Sequence, residues 1–251
     1  MGLSKEMIKA GLDHVGAVEP RLAAAIAASG YPEPRIRPEG YETLLRTIVG
    51  QQVSVASAAA VWNKLEARLG NGCPPESLIA TEFDELRACG LSRQKQGYAR
   101  SLAELILSGG LDLDHLPQDD EEAIALLTKV KGSGRWSAEI YLLFAQGRPD
   151  IWPAGDLAIQ VGVGNFLNLP ERPSEKDTRE IAEAWAPHRG AVAIFTWHHY
   201  HVMVMSQVWC QNLEIERVVP PCGVGEGPHV EFEGPGRSVL MGNVEIGIGD
   251  C

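Results

Sequence analysis

No run of about 18 apolar residues occurs in this 251-residue chain, so the sequence offers no membrane-spanning helix. The opening residues MGLSKEMIKAGLDHVGAVEP lack the apolar centre of a secretory leader, and a cytoplasmic address is the expectation. Cysteine is sparse: Cys73, Cys89, Cys210, Cys222 and Cys251 are odd in number, scattered, and form no C-x2-C pair. That argues against zinc ribbons and cysteine-ligated clusters and for idle or buried thiols in a reducing compartment. Positive charge is short as well. With 22 Lys+Arg against 33 Asp+Glu the net charge is −11, which argues against sequence-blind binding of nucleic acid. The deficit is uneven, because residues 210–251 hold seven acidic and two basic residues.

What is present is helix. From Val18 to about Gln211 no strand-like alternation competes with helical periodicity punctuated by proline, glycine and capping residues. Val61, Leu65 and Leu69 stand four apart in a helix over 53–69, and Ser92 reads as the N-cap of a helix to about 108 with Leu102, Leu105 and Ile106 inward. Further helices are expected over 41–49, 82–88, 119–129, 135–147, 157–167, 174–186 and 190–209. Pro220, Pro221 and eight glycines between Gly223 and Gly249 break any helix in the last forty residues. There, Ser238–Met241 and Val244–Ile248 flank Gly242-Asn243 as a weak hairpin. The expectation is an all-α domain over 1–211 followed by a Gly/Pro-rich, acidic appendage over 212–251.

Two segments carry chemistry. In the first, a helix ends near Lys129, Gly132-Ser133-Gly134 turns, and another helix starts at Arg135. Glycines in a turn at a helix N-terminus expose backbone N–H groups that suit a phosphate, and Lys131 and Arg135 flank them. The same residues also make an ordinary αα-turn in which glycine relieves φ > 0 strain. In the second segment, Trp152-Pro153-Ala154-Gly155-Asp156, proline and glycine enforce a turn and place Asp156 at the N-cap of the next helix. It accepts N–H bonds there, and capping alone accounts for most aspartates so placed.

The combination is what distinguishes this chain. A glycine hairpin followed 22 residues later by an aspartate in a Gly/Pro loop resembles the helix-hairpin-helix–Gly/Pro–Asp superfamily of DNA glycosylases, and within it the 3-methyladenine DNA glycosylase II branch. Four pieces fall in order over about residues 10–210: Thr47-Ile-Val-Gly-Gln-Gln-Val-Ser54, the hairpin Lys131–Trp136, the loop Pro153–Asp156, and Ala193-Ile-Phe-Thr-Trp197. One departure is Val130-Lys131-Gly132-Ser133-Gly134 where the family hairpin reads Leu-Pro-Gly-Ile-Gly.

The resemblance implies two helical subdomains with the active site in the cleft between them. It implies Asp156 as the catalytic carboxylate, a base pocket of Trp136, Trp197, Tyr141 and Trp152, and Gln52, with Gln51, as the wedge that fills the gap left by a flipped base. Phosphate would be held by Lys131, Gly132, Ser133, Gly134 and Arg135; Ser92–Lys95 and Arg100 offer further backbone contacts, and a solvated helix face explains those charges equally well. Bifunctional members carry a lysine nucleophile where this chain has Trp136, so monofunctional hydrolysis of alkylated purines follows. The partner would be double-stranded DNA with alkylated bases, bound by a monomer. No cofactor is expected and no metal on side chains, although family members hold a monovalent cation on hairpin backbone carbonyls. His198 and His201 share a helical face, with His199 and His188 nearby, but no acidic or cysteine ligand stands at helical spacing beside them. Two other readings stay open: a catalytically silent module that binds damaged or abasic DNA, and an unrelated helical interaction protein.

Overall fold

The structure, a computed structural model, describes residues 2–217, with side chains through Met203. Among the described residues it is all helix, without a strand. The helices are α1 (Lys5–Val18), α2 (Pro20–Ser29), α3 (Tyr41–Gly50), α4 (Val55–Leu69), α5 (Pro75–Ala80), α6 (Phe83–Ala88), α7 (Arg93–Leu107), α8 (Asp120–Leu127), α9 (Arg135–Tyr141), α10 (Leu157–Phe166), α11 (Glu175–Ala182) and α12 (Arg189–Arg217). Many start where a short polar side chain relieves an orphaned backbone N–H. Ser54 accepts from Ser57 N, Ser92 from Lys95 N, Asp119 from Glu122 N and Ser174 from Asp177 N.

The chain packs as two groups of helices. In one, α1 and α2 lie against α12, and α10 lies against α2, α11 and α12. In the other, α3 packs on α4, α7 and α9, while α7 also carries α5 and α6. Both ends of the described chain therefore meet in one half, and residues 41–141 form most of the other. One continuous set of buried apolar side chains runs through both. This is the two-subdomain, all-helical architecture that the resemblance implied.

Differences from the sequence reading are local. The helical series starts at Lys5 and not at Val18: Ile8, Leu12 and Val15 form a buried stripe behind a Ser4 cap. The short α5 was also not foreseen. The helix expected over 135–147 is α-helical only to Tyr141, then a π-helical turn over Leu142–Gln146 that Gly147 ends in the left-handed conformation. Leu102 is fully buried, whereas Leu105 and Ile106 are half-buried. The boundary at 211 falls inside α12, which continues to Arg217. Residues 218–251, with the hairpin expected around Gly242-Asn243, lie outside the described residues.

Candidate active site

Asp156 stands where the two helix groups meet. Its side chain is 2% exposed and caps α10, Oδ1 accepting from Ala158 N (2.8 Å) and Ile159 N (3.1 Å). Two indoles complete the shell. The Trp197 N–H of α12 donates to Oδ1 (3.2 Å), and the Trp136 N–H of α9 donates to Oδ2 (2.9 Å). Four N–H donors thus hold the carboxylate, two from its own helix and one from each neighbouring half. Capping alone requires only the first two. α10 comes close to α12 because residue 162 is glycine: a Cβ there would sit 2.5 Å from Thr196 Cγ2. That close approach brings Trp197 within reach of the cap.

The four aromatic residues assigned to a base pocket divide. Trp136 and Trp197 meet at Asp156, and the Trp197 ring packs on Phe144 at 5.5 Å between centroids. Tyr141 is buried, which pushes its phenol pKa up, and its oxygen accepts from Gly40 N (2.9 Å). Trp152 belongs to the core behind the loop: its N–H donates to the Thr178 carbonyl (3.0 Å) and its ring meets Trp185 edge-on at 5.4 Å.

The hairpin and the Gln51-Gln52 turn lie side by side. Gly132 has φ +78°, and a Cβ there would fall 2.2 Å from the Tyr98 ring, so this position admits only glycine. Gln51 donates its amide to the Gly132 carbonyl (3.0 Å). Gln52 is exposed at φ +55°, a left-handed conformation that a non-glycine residue holds at some cost. A shallow hollow, with Leu44, Ile48, Gln51, Val130, Ser133 and Ser137 in its wall, separates α3 from the hairpin. Gly134 is exposed and caps α9 without a side chain, leaving the first N–H groups of that helix open. The Val130 and Gly132 carbonyls already accept from Ser133 N and Gln51, so a cation there would share oxygens that are in use.

The charges around the hairpin differ from expectation. Arg135 is not a free cation: it forks onto Glu121 and donates Nε to Glu139 (2.9 Å). Those hydrogen bonds, that of Glu121 foremost, raise its pKa. Lys95 and Arg100 are likewise committed. Lys95 donates to the Val49 carbonyl (2.7 Å), its pKa lowered by burial, and Arg100 reaches the Ile79 and Thr81 carbonyls. Lys131 is exposed beside the turn, as is Arg93 at the start of α7.

Sequence reasoning missed Arg35 and Arg37, in the segment joining α2 to α3. Burial lowers the pKa of both. Arg37 nevertheless stays exposed, as a side chain lining a cleft does, and its guanidinium lies 5.8 Å from the Phe144 ring that abuts Trp197. Only the tertiary fold brings this segment to the π-helical turn after α9, through the hydrogen bond from Arg37 N to the Phe144 carbonyl (2.9 Å).

The histidines are tied to their surroundings. His198 Nε2 donates to the Ser29 carbonyl (2.8 Å). His199 bonds Asn165 Oδ1 and Ser29 Oγ through its two ring nitrogens, both at 2.8 Å, and burial lowers its pKa. His188 meets His14 edge-on at 4.8 Å, and His201 is exposed.

Known proteins share this sequence and fold. A DNA-3-methyladenine glycosylase 1 from Schizosaccharomyces pombe is 35% identical over 163 residues, covering 63% of this chain and 72% of that protein. The crystal structure of a DNA-3-methyladenine glycosidase from Bacillus halodurans superposes with a TM-score of 0.72 at 28% identity, covering 78% of this chain and 91% of that one. The S. pombe 3-methyladenine DNA glycosylase Mag1 in complex with abasic DNA superposes with a TM-score of 0.64 at 31% identity, covering 76% and 94%. Residues 45–188, which include the Gln51-Gln52 turn, the hairpin and the Asp156 loop, match the HhH-GPD superfamily, and the chain belongs to this superfamily of base excision DNA repair proteins.

Proposed function

We propose that this protein is a monofunctional DNA glycosylase, a hydrolase of the 3-methyladenine glycosylase II type that excises alkylated purines from duplex DNA as a monomer. The observation that carries the reading is the Asp156 carboxylate, 2% exposed and bonded by two indole N–H groups from opposite halves of the molecule. A module that only bound DNA would gain nothing from a carboxylate at the cleft, since DNA is itself an anion. The abasic DNA bound to Mag1 supports DNA as the partner.

The chemistry follows from the residues. A stacked base cannot be reached at its glycosidic bond, so the nucleotide is flipped out and Gln52, projecting from its strained turn, enters the gap. Open hairpin N–H groups and Lys131 hold the backbone. An N-alkylated purine is cationic and gains from the face of an aromatic ring. The indole N–H groups of Trp136 and Trp197 are engaged with Asp156, which leaves the half-buried Trp136 ring for stacking, while the Trp197 ring, 3% exposed and packed on Phe144, backs the site. As the bond from C1′ to the base nitrogen breaks, its electron pair leaves with the base and positive charge develops on the sugar. Asp156 stabilises that charge and orients a water, whose oxygen bonds to C1′ while its proton passes to the carboxylate or to solvent. Because the leaving group is already cationic, one carboxylate serves where sugar hydrolases use two.

The test is release of free bases from methylated duplex DNA by wild type and by Asp156→Asn, followed by alkali. Wild type is expected to release methylated purines, the variant far less, with strand cleavage only after alkali. If neither releases a base while both bind abasic duplex, the protein is a damage reader and Asp156 only a helix cap. If neither binds abasic DNA, the repair reading is wrong altogether.

A further inference from the structure

Glu139 is the most deeply buried acidic residue, with Asp156, among the described residues, at 2% exposure. The proposed chemistry makes no use of it. It stands three residues after Trp136 on α9, on the same side of the helix. Its Oε1 accepts from Arg135 Nε (2.9 Å) on its own helix and from Arg179 Nη2 (3.4 Å) on α11. Arg179 reaches further: Nη1 points at the Trp152 carbonyl (3.4 Å), where the Asp156 loop begins, and Nη2 also donates to Glu175 (2.8 Å). Glu175 lies against the loop too, since a Cβ on Gly155 would meet its Oε2 at 3.4 Å.

The Asp156 loop is thus fixed to α9 at two places. One is the Trp136–Asp156 hydrogen bond. The other is the bridge from Glu139 through Arg179 to Trp152. One contact sets a distance, and two set an orientation. Stability does not account for the bridge, because a buried ion pair seldom outperforms apolar packing. Burial raises the pKa of Glu139 despite two arginines, so desolvation outweighs their attraction. What the bridge supplies is geometry.

We propose that Glu139 is a positioning residue: through Arg179 it holds the Asp156 loop against α9 and so sets the Trp136–Asp156 hydrogen bond on which the carboxylate's aim depends. This rests on the reading of Asp156 as the reacting carboxylate. Displacing a catalytic group by about 1 Å lowers rates by roughly 100-fold without a change in ground-state binding.

The experiment compares Glu139→Met, Glu139→Gln and Arg179→Met in the full chain. Three quantities are read: the single-turnover rate of methylated-purine release, affinity for an abasic duplex, and the indole N–H resonance of Trp136, assigned with Trp136→Phe. Glu139→Met and Arg179→Met are expected to slow release by about 100-fold, leave abasic binding unchanged and move the Trp136 resonance. Glu139→Gln, which keeps an acceptor oxygen, is expected to fall between them and wild type. A folded Glu139→Met with wild-type rate and resonance overturns the proposal, as does a loss of rate that only follows the loss of folded protein in thermal melts. If Glu139→Met does not fold, Arg179→Met carries the same comparison from the other side. If wild type itself releases no base, the reading of Asp156 has failed, and the Trp136 resonance alone decides whether Glu139 positions the loop.

Discussion

Trp136 illustrates how far single residues could be read. Its place after the hairpin is plain in the sequence, but its N–H on a carboxylate twenty positions later is a product of tertiary packing. The cap at Asp156 was legible from Pro153, Gly155 and the helix that follows. Its two indole donors were not. Trp136→Phe keeps an aromatic face, smaller than the indole, and removes the donor, so base release is expected to slow at least roughly 10-fold, the kinetic counterpart of one hydrogen bond to a charged group. An unchanged single-turnover rate would reduce that bond to packing. Glu139 gives a prediction with a definite sign. Its folded pKa is raised by burial, so the native state is penalised once pH rises above the ordinary glutamate value of 4.5 and towards the folded pKa. Glu139→Gln should therefore match wild-type stability at low pH and gain on it as pH rises through that interval, which denaturant melts across pH would follow. The neighbouring Arg135 shifts upward as well, because Glu121 hydrogen-bonds it in addition to Glu139 and outweighs the hydration that this partly exposed group loses.

At the scale of elements, caps and periodicity marked most of the helices, since Ser54, Ser92, Asp119 and Ser174 announce their starts locally. The π turn after Tyr141 was invisible, because Leu142–Ala145 is as apolar as an α-helical stretch would be. The charged hairpin was half legible. The i,i+4 spacing of Arg135 and Glu139 signals an ion pair on a helix, whereas Glu121 arrives from α8 only through the fold. Lys131 and Arg135 should consequently behave differently. Lys131→Ala is expected to lessen the slope of log affinity against log salt by about 1, as loss of one phosphate contact does. Arg135→Ala is expected to lower thermal stability and leave that slope nearly unchanged. Equal effects on the slope would return Arg135 to the phosphate-binding set. The contact of α10 with α12 offers a further check. Gly162→Ala forces Thr196 away and is expected to destabilise the protein by about 1–3 kcal/mol in denaturant melts. The same change draws Trp197 from Asp156, so base release should fall in the fraction that remains folded.

For the whole molecule, a net charge of −11 sits oddly with a DNA partner until the cations are sorted by what they already hold. Arg135, Lys95 and Arg100 are spent on internal carboxylates and carbonyls, whereas Lys131 at the hairpin and Arg93 at the start of α7 are exposed. Under the proposed function, weak and salt-sensitive affinity for undamaged duplex is expected. The thiol expectation can be followed at Cys73, which is fully buried and whose pKa burial pushes up to about 12. Peptide mapping after alkylation of the native protein at pH 8 should find it unmodified. The central claim is that the two helix groups meet around one carboxylate in order to break a glycosidic bond. It is tested most directly by single-turnover release of a methylated purine by wild type and Asp156→Asn, at enzyme concentrations where both saturate the same duplex. The account expects release by wild type, a fall of at least about 100-fold in the variant, and equal binding of abasic DNA by both. Equal release rates from the two proteins would contradict it.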